Sequence, residues 1–269
     1  MVNNLQFCFS SMGCPEASWL EMAELAQAYG FYGIELRSLR GKLDLLTALD
    51  EAFGSPEVMR DSVEQLGVAV VGLNSGLSLL SQRDEDLQAV QGLATWADRV
   101  GVPYIRVFDG GHDGEGEAIE VLGEALDWWD RLKRDRQVQC DLIVETHGYL
   151  TDSEKVMQLA ELRGGSLNLL WDSCHTWRMT GRSPLQDWPF LQPYVRHIHI
   201  KDAVMDTSAK KGFRYTLPGL GEVPVLELLK ALRRDEFQGP VSLEWEKLWH
   251  AELPSLTEAM RSGVVAGWW

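Results

Sequence analysis

Eight short apolar runs alternate with helix-patterned stretches along the chain, and this alternation constrains the fold more than any single motif. QFCFSS, beginning near Leu5, precedes a helix pattern over 17–29 that stops at Gly30. GIELR (33–37) is followed by a helix at 56–66 closed by Gly67, and VAVVGLNS (68–75) by one at 84–100 closed by Gly101. VPYIRVFDGG leads through an acidic turn, His112 to Glu117, into a helix at 118–136. The runs 142–145, 167–172, 195–201 and 241–245 continue the series. Their following segments are a helix at 153–162, short helical turns through 188–194, a long loop to Gly221 with a helix at 223–234, and a last helix from 256. Helices that end in glycine just before a β-rich run are the usual αβ junctions.

Continuous strand–helix alternation requires a parallel sheet with right-handed crossovers. Eight such units in 269 residues match an α/β fold of the (β/α)8 TIM-barrel type, an eight-stranded parallel barrel with outer helices. The competing doubly wound sheet would show a glycine-rich phosphate fingerprint after its first strand, and none is present. The expectation is one TIM-barrel domain over 1–269, with any active site at the C-terminal ends of the strands.

Those ends carry the polar chemistry. In VRHIHIKD, period two puts His197, His199 and Lys201 on one face. DLIVETHG ends in Glu145 and His147, LNLLWDSCH in Asp172 and His175, GPVSLEWE in Glu244 and Glu246. Imidazoles buried among carboxylates most readily find a divalent cation. Glu145, Asp172, His199 and Glu244 could form an oxygen and nitrogen site for Mn2+, Mg2+, Co2+ or Zn2+. By the same parity Asn168 would lie deep in the barrel. Glu35 and Arg37 would face the pocket or pair with each other, His197 would support a ligand, and Glu246 would sit idle at the rim.

The ordered set VETHG, WDSCH, HIHIKD and VSLEWE resembles the sugar phosphate isomerase/epimerase family with the xylose isomerase-like TIM barrel. The resemblance implies one divalent metal, commonly manganese, held by Glu145, Asp172, His199 and Glu244. It implies that Glu145 and Glu244 also act as acid and base, moving a proton next to a carbonyl while the metal stabilises the enediolate. His147, His175 and Arg214 resemble positions that contact substrate hydroxyls; Arg214 lies in GFRYTLPGLGEVP, which could fold over the mouth as a lid. Lys201 is expected to contact substrate or to pair with a carboxylate.

Composition narrows the partners. Lys+Arg 25 against Asp+Glu 40 gives a net charge of -15, which opposes nucleic acid and anionic membranes as partners. It also argues against the abasic-site nucleases that share this barrel. No leader-like segment or span-length apolar run is seen, so a cytoplasmic location is expected. The four cysteines lack a CxxC pair and read as reduced thiols. Most tryptophans near the strand ends read as packing. The terminal Trp268 and Trp269 should dock on this subunit or on a neighbour, which leaves a homo-oligomer open. The functional expectation is a metal-dependent sugar isomerase or epimerase acting on a ketose or a related small polyol or hydroxyacid. The alternatives are a dehydratase of a cyclic polyol such as an inosose, and a metal- or sugar-binding barrel without chemistry.

Overall fold

The computed structural model describes residues 5–111 and 117–269; most of the acidic turn expected from His112 lies outside them. Eight strands close a parallel barrel. They are β1 (Gln6–Ser10), β2 (Gly33–Leu36), β3 (Ala69–Ser78), β4 (Tyr104–Phe108), β5 (Asp141–Glu145), β6 (Leu169–Asp172), β7 (Val195–Ile200) and, after the hairpin strands β8 (Asp202–Met205) and β9 (Phe213–Thr216), β10 (Pro240–Leu243). The barrel runs in chain order from β1 to β7 and closes through β10 back to β1. Helices α1 (Trp19–Tyr29), α2 (Leu45–Phe53), α3 (Pro56–Leu66), α4 (Asp84–Val100) and α5 (Ala118–Arg136) belong to the first half. The second half has α6 (Ser153–Leu162), α7 (Ser173–Thr180), α8 (Pro184–Leu191), α9 (Val225–Arg234) and α10 (Leu256–Ala266).

Helix ends follow local chemistry. Ser18 and Ser255 make capping boxes with Glu21 and Glu258, satisfying donors at each helix start. Gly30, Gly67 and Gly101 close α1, α3 and α4 in the left-handed conformation, which costs glycine least.

The strands sort their side chains by parity. Phe9, Ile34, Leu73, Val144, Trp171, Ile198 and Leu243 join one apolar cluster with the helices. At alternate positions Glu35, Asn74, Arg106, Glu145, Asp172, His199 and Ser242 are buried and polar. Near the β6 end, Trp171 stacks on Trp188 with ring centroids 5.8 Å apart and planes 14° from parallel. The Trp188 indole N–H also donates to Asp235 Oδ2 at 2.8 Å. Trp188→Ala should therefore lower stability by about 3–5 kcal/mol; a loss under about 1 kcal/mol in urea unfolding would mean the site collapses to fill the void.

Several expectations need correction. The connection after β7 is not a long loop but the antiparallel hairpin β8–β9, pinned by Asp202, whose carboxylate accepts backbone N–H groups of Ala203, Gly219, Gly221 and Val223. An extra helix, α2, precedes α3, and two full helices occupy the β6–β7 connection. Strand β3 continues to Ser78. Asn168 precedes β6 and is half-buried rather than deep inside; its carbonyl accepts from Val144 N–H at 2.9 Å. Trp268 is buried on its own barrel, and Trp269 packs edge-on against Phe7 and Phe31. Among the described residues no helix is long and apolar enough to cross a membrane.

Candidate active site

The inward-facing polar residues converge where the strands end. Glu145 ends β5, Asp172 ends β6, His199 lies on β7 and Glu244 follows β10. Each offers one ligand atom, and these atoms lie within 4.8 Å of one another. All four residues are buried, none more than 3% exposed.

His199 is oriented from behind. Its Nε2 lies 2.8 Å from Glu35 Oε2, and a carboxylate can only accept, so Nε2 carries a proton there. Nδ1 then faces the cluster, 3.3 Å from Glu244 Oε1 and 3.8 Å from Glu145 Oε1. A carboxylate behind a histidine is the usual way a metal-ligating ring is fixed. Glu35 is held in turn by Asn74 Nδ2 at 2.5 Å. Burial pushes the Glu35 carboxyl up, but His199 and His197 outweigh it and bring it down to about 2.

Three buried atoms of the cluster make no hydrogen bond: Glu145 Oε2, Asp172 Oδ2 and His199 Nδ1. Glu145 Oε2 lies 2.9 Å from Arg106 Nε, and Asp172 Oδ2 lies 2.8 Å from Lys201 Nζ, yet neither pair is aligned as a hydrogen bond. Buried polar atoms normally have partners. Three carboxylates and one imidazole with ligand atoms this close together fit a divalent cation of the manganese, magnesium, cobalt or zinc type.

The two glutamates differ electrostatically. Burial raises the Glu145 carboxyl to about 7, with Arg106 opposing and Glu244 adding to the rise. Burial also pushes Glu244 up, but His199 and Lys201 outweigh it and hold it well below the usual range. For His199, burial is outweighed by Glu244 and Glu35, so the imidazole lies well above its ordinary value. A divalent cation at Nδ1 would replace a proton there.

A second tier lines the opening. Asp172 Oδ1 accepts the His175 N–H at 2.8 Å as the N-cap of α7, which sets His175 beside the cluster. The rings of His175 and His147 meet edge-to-face, centroids 4.8 Å apart. His147 is placed by Asp109, whose carboxylate accepts N–H groups of His147, Gly148 and Leu150. Burial lowers the His147 imidazole to about 4, helped by the nearby His175 and Lys201.

His197 contacts Ser242 Oγ at 2.6 Å and lies 3.5 Å from Glu35 Oε2. Burial depresses its imidazole from 6.5 to about 4 against the pull of Glu35. The unfolded chain therefore binds more protons between about pH 6.5 and 4, and stability falls as pH drops through that window, by up to about 3 kcal/mol. His197→Gln should flatten this part of the acid slope when urea midpoints at about pH 7 and pH 5 are compared. An unchanged slope would assign the loss to other groups.

A family model described as xylose isomerase-like TIM barrel matches residues 23–262. The chain belongs to the xylose isomerase-like TIM barrel family. No curated protein matches the sequence. Among solved structures, a xylose isomerase domain containing protein from Salmonella typhimurium is 17% identical, with TM-score 0.77 over 99% of this chain and 98% of that one. The probable 3-DHS dehydratase AsbF of Bacillus anthracis is 17% identical, with TM-score 0.72 over 98% and 99%. The IOLI protein, solved with a zinc atom, is 16% identical, with TM-score 0.73 over 98% and 96%. At these identities the likeness shows the fold.

In this xylose isomerase-like barrel, most residues singled out from the sequence come together, and one does not. Arg214 sits on β9 with its side chain 63% exposed, its Nε 3.2 Å from Asp206 Oδ2, away from the four-residue cluster. Glu246 is not idle: it accepts from Lys201 Nζ at 2.6 Å and from the Tyr215 hydroxyl at 2.7 Å. Arg37 makes no ion pair with Glu35; its Nη1 donates to the Leu43 carbonyl at 3.1 Å. Sequence reading missed Arg106, which is 2% exposed. The signal was a lone arginine inside the apolar run YIRVF, inward by parity and in need of a counter-charge.

Proposed function

We propose that the chain is a divalent-metal-dependent isomerase or epimerase acting on a ketose or a related small polyol or hydroxyacid, with Mn2+ as its ion and the cytoplasm as its place of work. Glu145, Asp172, His199 and Glu244 would hold the ion. The observation that carries this reading is the convergence of four ligand atoms within 4.8 Å of one another, with Glu244 and Glu145 both beside His199 Nδ1. When bound, the ion supplies electrophilic stabilisation of negative charge on adjacent substrate oxygens.

The chain's own groups do the rest. Glu244, kept ionised, accepts a proton from the carbon next to a carbonyl. Glu145, whose Oε1 lies 3.8 Å from His199 Nδ1, delivers one to the neighbouring position. Arg106 holds Glu145 from the β4 side, 2.9 Å away. His147 and His175 offer ring nitrogens to substrate hydroxyls across the opening. Depressed to about 4, His147 stays neutral and can donate or accept.

A dehydratase is the second reading. It starts with the same proton removal and needs an acid for the departing hydroxyl; His175 Nε2, 3.4 Å from Lys201 Nζ, stands beside the carboxylates for that task. Likeness to a probable dehydratase supports keeping it.

The test is metal analysis of the native protein followed by incubation with a ketose and cyclic polyol panel in deuterated water. Bound divalent ion with deuterium entering an isomerised product supports the first reading, and a product lacking water supports the second. A native protein that holds an ion but exchanges nothing is a binding barrel. One that holds no ion removes the metal centre altogether.

A further inference from the structure

Lys201 remains unassigned once the four ligands are named. It follows β7 directly and is 1% exposed. Its ammonium lies 2.8 Å from Asp172 Oδ2 and 2.6 Å from Glu246 Oε1, and it donates to Glu244 Oε2. Three carboxylates thus surround one ammonium, Glu244 and Glu246 as hydrogen-bond acceptors and Asp172 as an ion pair. Two of the three, Asp172 and Glu244, belong to the set that gathers within 4.8 Å around His199. The third, Glu246, does not, and Tyr215 fixes it from the other side.

We propose that Lys201 is an internal cation that competes with the divalent ion for Asp172 and Glu244 and keeps the carboxylate cluster charge-balanced when no ion is bound. The inference rests on the metal-centre reading above. Its physical basis is the cost of buried charge. Carboxylates removed from water need a counter-charge, and Lys201 is the cation placed to serve Asp172, Glu244 and Glu246 together. A divalent ion drawn to the same oxygens meets a like charge at close range in a low-dielectric interior, where repulsion is strong.

This differs in sign from an orienting role. If Lys201 only aligned the ligands, its loss would weaken metal binding by about 10–100-fold. If it competes, neutralising it should tighten binding by at least roughly tenfold.

The experiment titrates Mn2+ into chelator-treated full-length native protein and into Lys201→Met, Lys201→Gln and Lys201→Arg, with Tm recorded in each state. Lys201→Gln keeps a donor without the charge and covers a failure of the methionine variant to fold. The expected result is tighter Mn2+ binding in the Met and Gln variants, a lower Tm for both without Mn2+ that the ion restores, and no tightening in Lys201→Arg. A neutral variant that folds only with Mn2+ shows the same dependence. Native protein that binds Mn2+ while the neutral variants bind it equally or more weakly overturns the competition and leaves the metal centre standing. Neutral variants that stay unfolded at saturating Mn2+ overturn it too, because the ion then cannot replace the ammonium. Native protein that takes up no Mn2+, Co2+ or Zn2+ removes the metal centre and this proposal with it.

Discussion

On the proposed isomerase reading, Glu145→Gln should lower turnover by about 10²–10⁴-fold when assayed at saturating Mn2+, with the barrel still folded. The amide fills the same volume and keeps an oxygen toward the cluster, but it neither gives nor takes a proton. In the native chain, burial raises the Glu145 carboxyl and Arg106 opposes the rise. The substitution would remove the group that the proposed reaction pairs with Glu244 for the return of the proton. It also leaves Arg106, with its Nε 2.9 Å from Glu145 Oε2, facing a neutral group. Some stability is lost as a result, since a buried charge stripped of its counter-ion is unfavourable. Product formation and deuterium incorporation, followed together in both reaction directions, check the prediction. Retention of more than about a tenth of native turnover, outside the range of acid–base loss, would move the chemistry to another residue.

His199→Ala has the largest expected effect on the site itself. The substitution deletes the one nitrogen of the cluster, whose Nδ1 is 3.3 Å from Glu244 Oε1. It also strands Glu35, which gives up its 2.8 Å contact to Nε2 and remains fully buried. Metal affinity should fall by at least about 100-fold, since a ligand and its orienting contact disappear together. Stability should fall by about 3–5 kcal/mol, the usual cost of breaking a buried ion pair from one side. Metal content after gel filtration and urea unfolding with and without Mn2+ measure the two effects. If the variant keeps its ion, His199 is not a ligand. If it loses the ion without losing stability, Glu35 has found another partner, and His197, 3.5 Å away, is the candidate to examine.

These two substitutions mark where sequence reading was strong. Period-two patterning in VRHIHIKD, DLIVETHG and GPVSLEWE assigns each charged residue to a strand face and a strand end without any tertiary information. Unit counting then puts those ends on one rim. The structure brings ligand atoms of Glu145, Asp172, His199 and Glu244 within 4.8 Å, as that reasoning expects. Glycines at helix ends were legible for the same local reason, because the left-handed conformation is set by the residue itself.

What stayed hidden involves partners far apart in the chain. Glu35 and His199 are separated by 164 positions and meet because β2 and β7 face one another across a closed barrel. Arg106 reads as an oddity in an apolar strand until β4 pairs with β5 and sets it beside Glu145. Lys201 could have met substrate or carboxylate; its three carboxylate contacts depend on where β6 and β10 fall beside β7. Arg214 was placed over the mouth on the strength of a long loop. The hairpin β8–β9 instead turns it to Asp206, just past the end of its antiparallel partner β8, because ladder pairing and the Asp202 anchor fix that segment. The sequence alone determined the number of barrel strands, side-chain parity and the rim on which the polar residues end, since these follow from periodicity and turn chemistry between near neighbours. Only the tertiary structure decided which charges compensate which, because barrel closure sets the distances between strands and burial makes every unpaired charge costly.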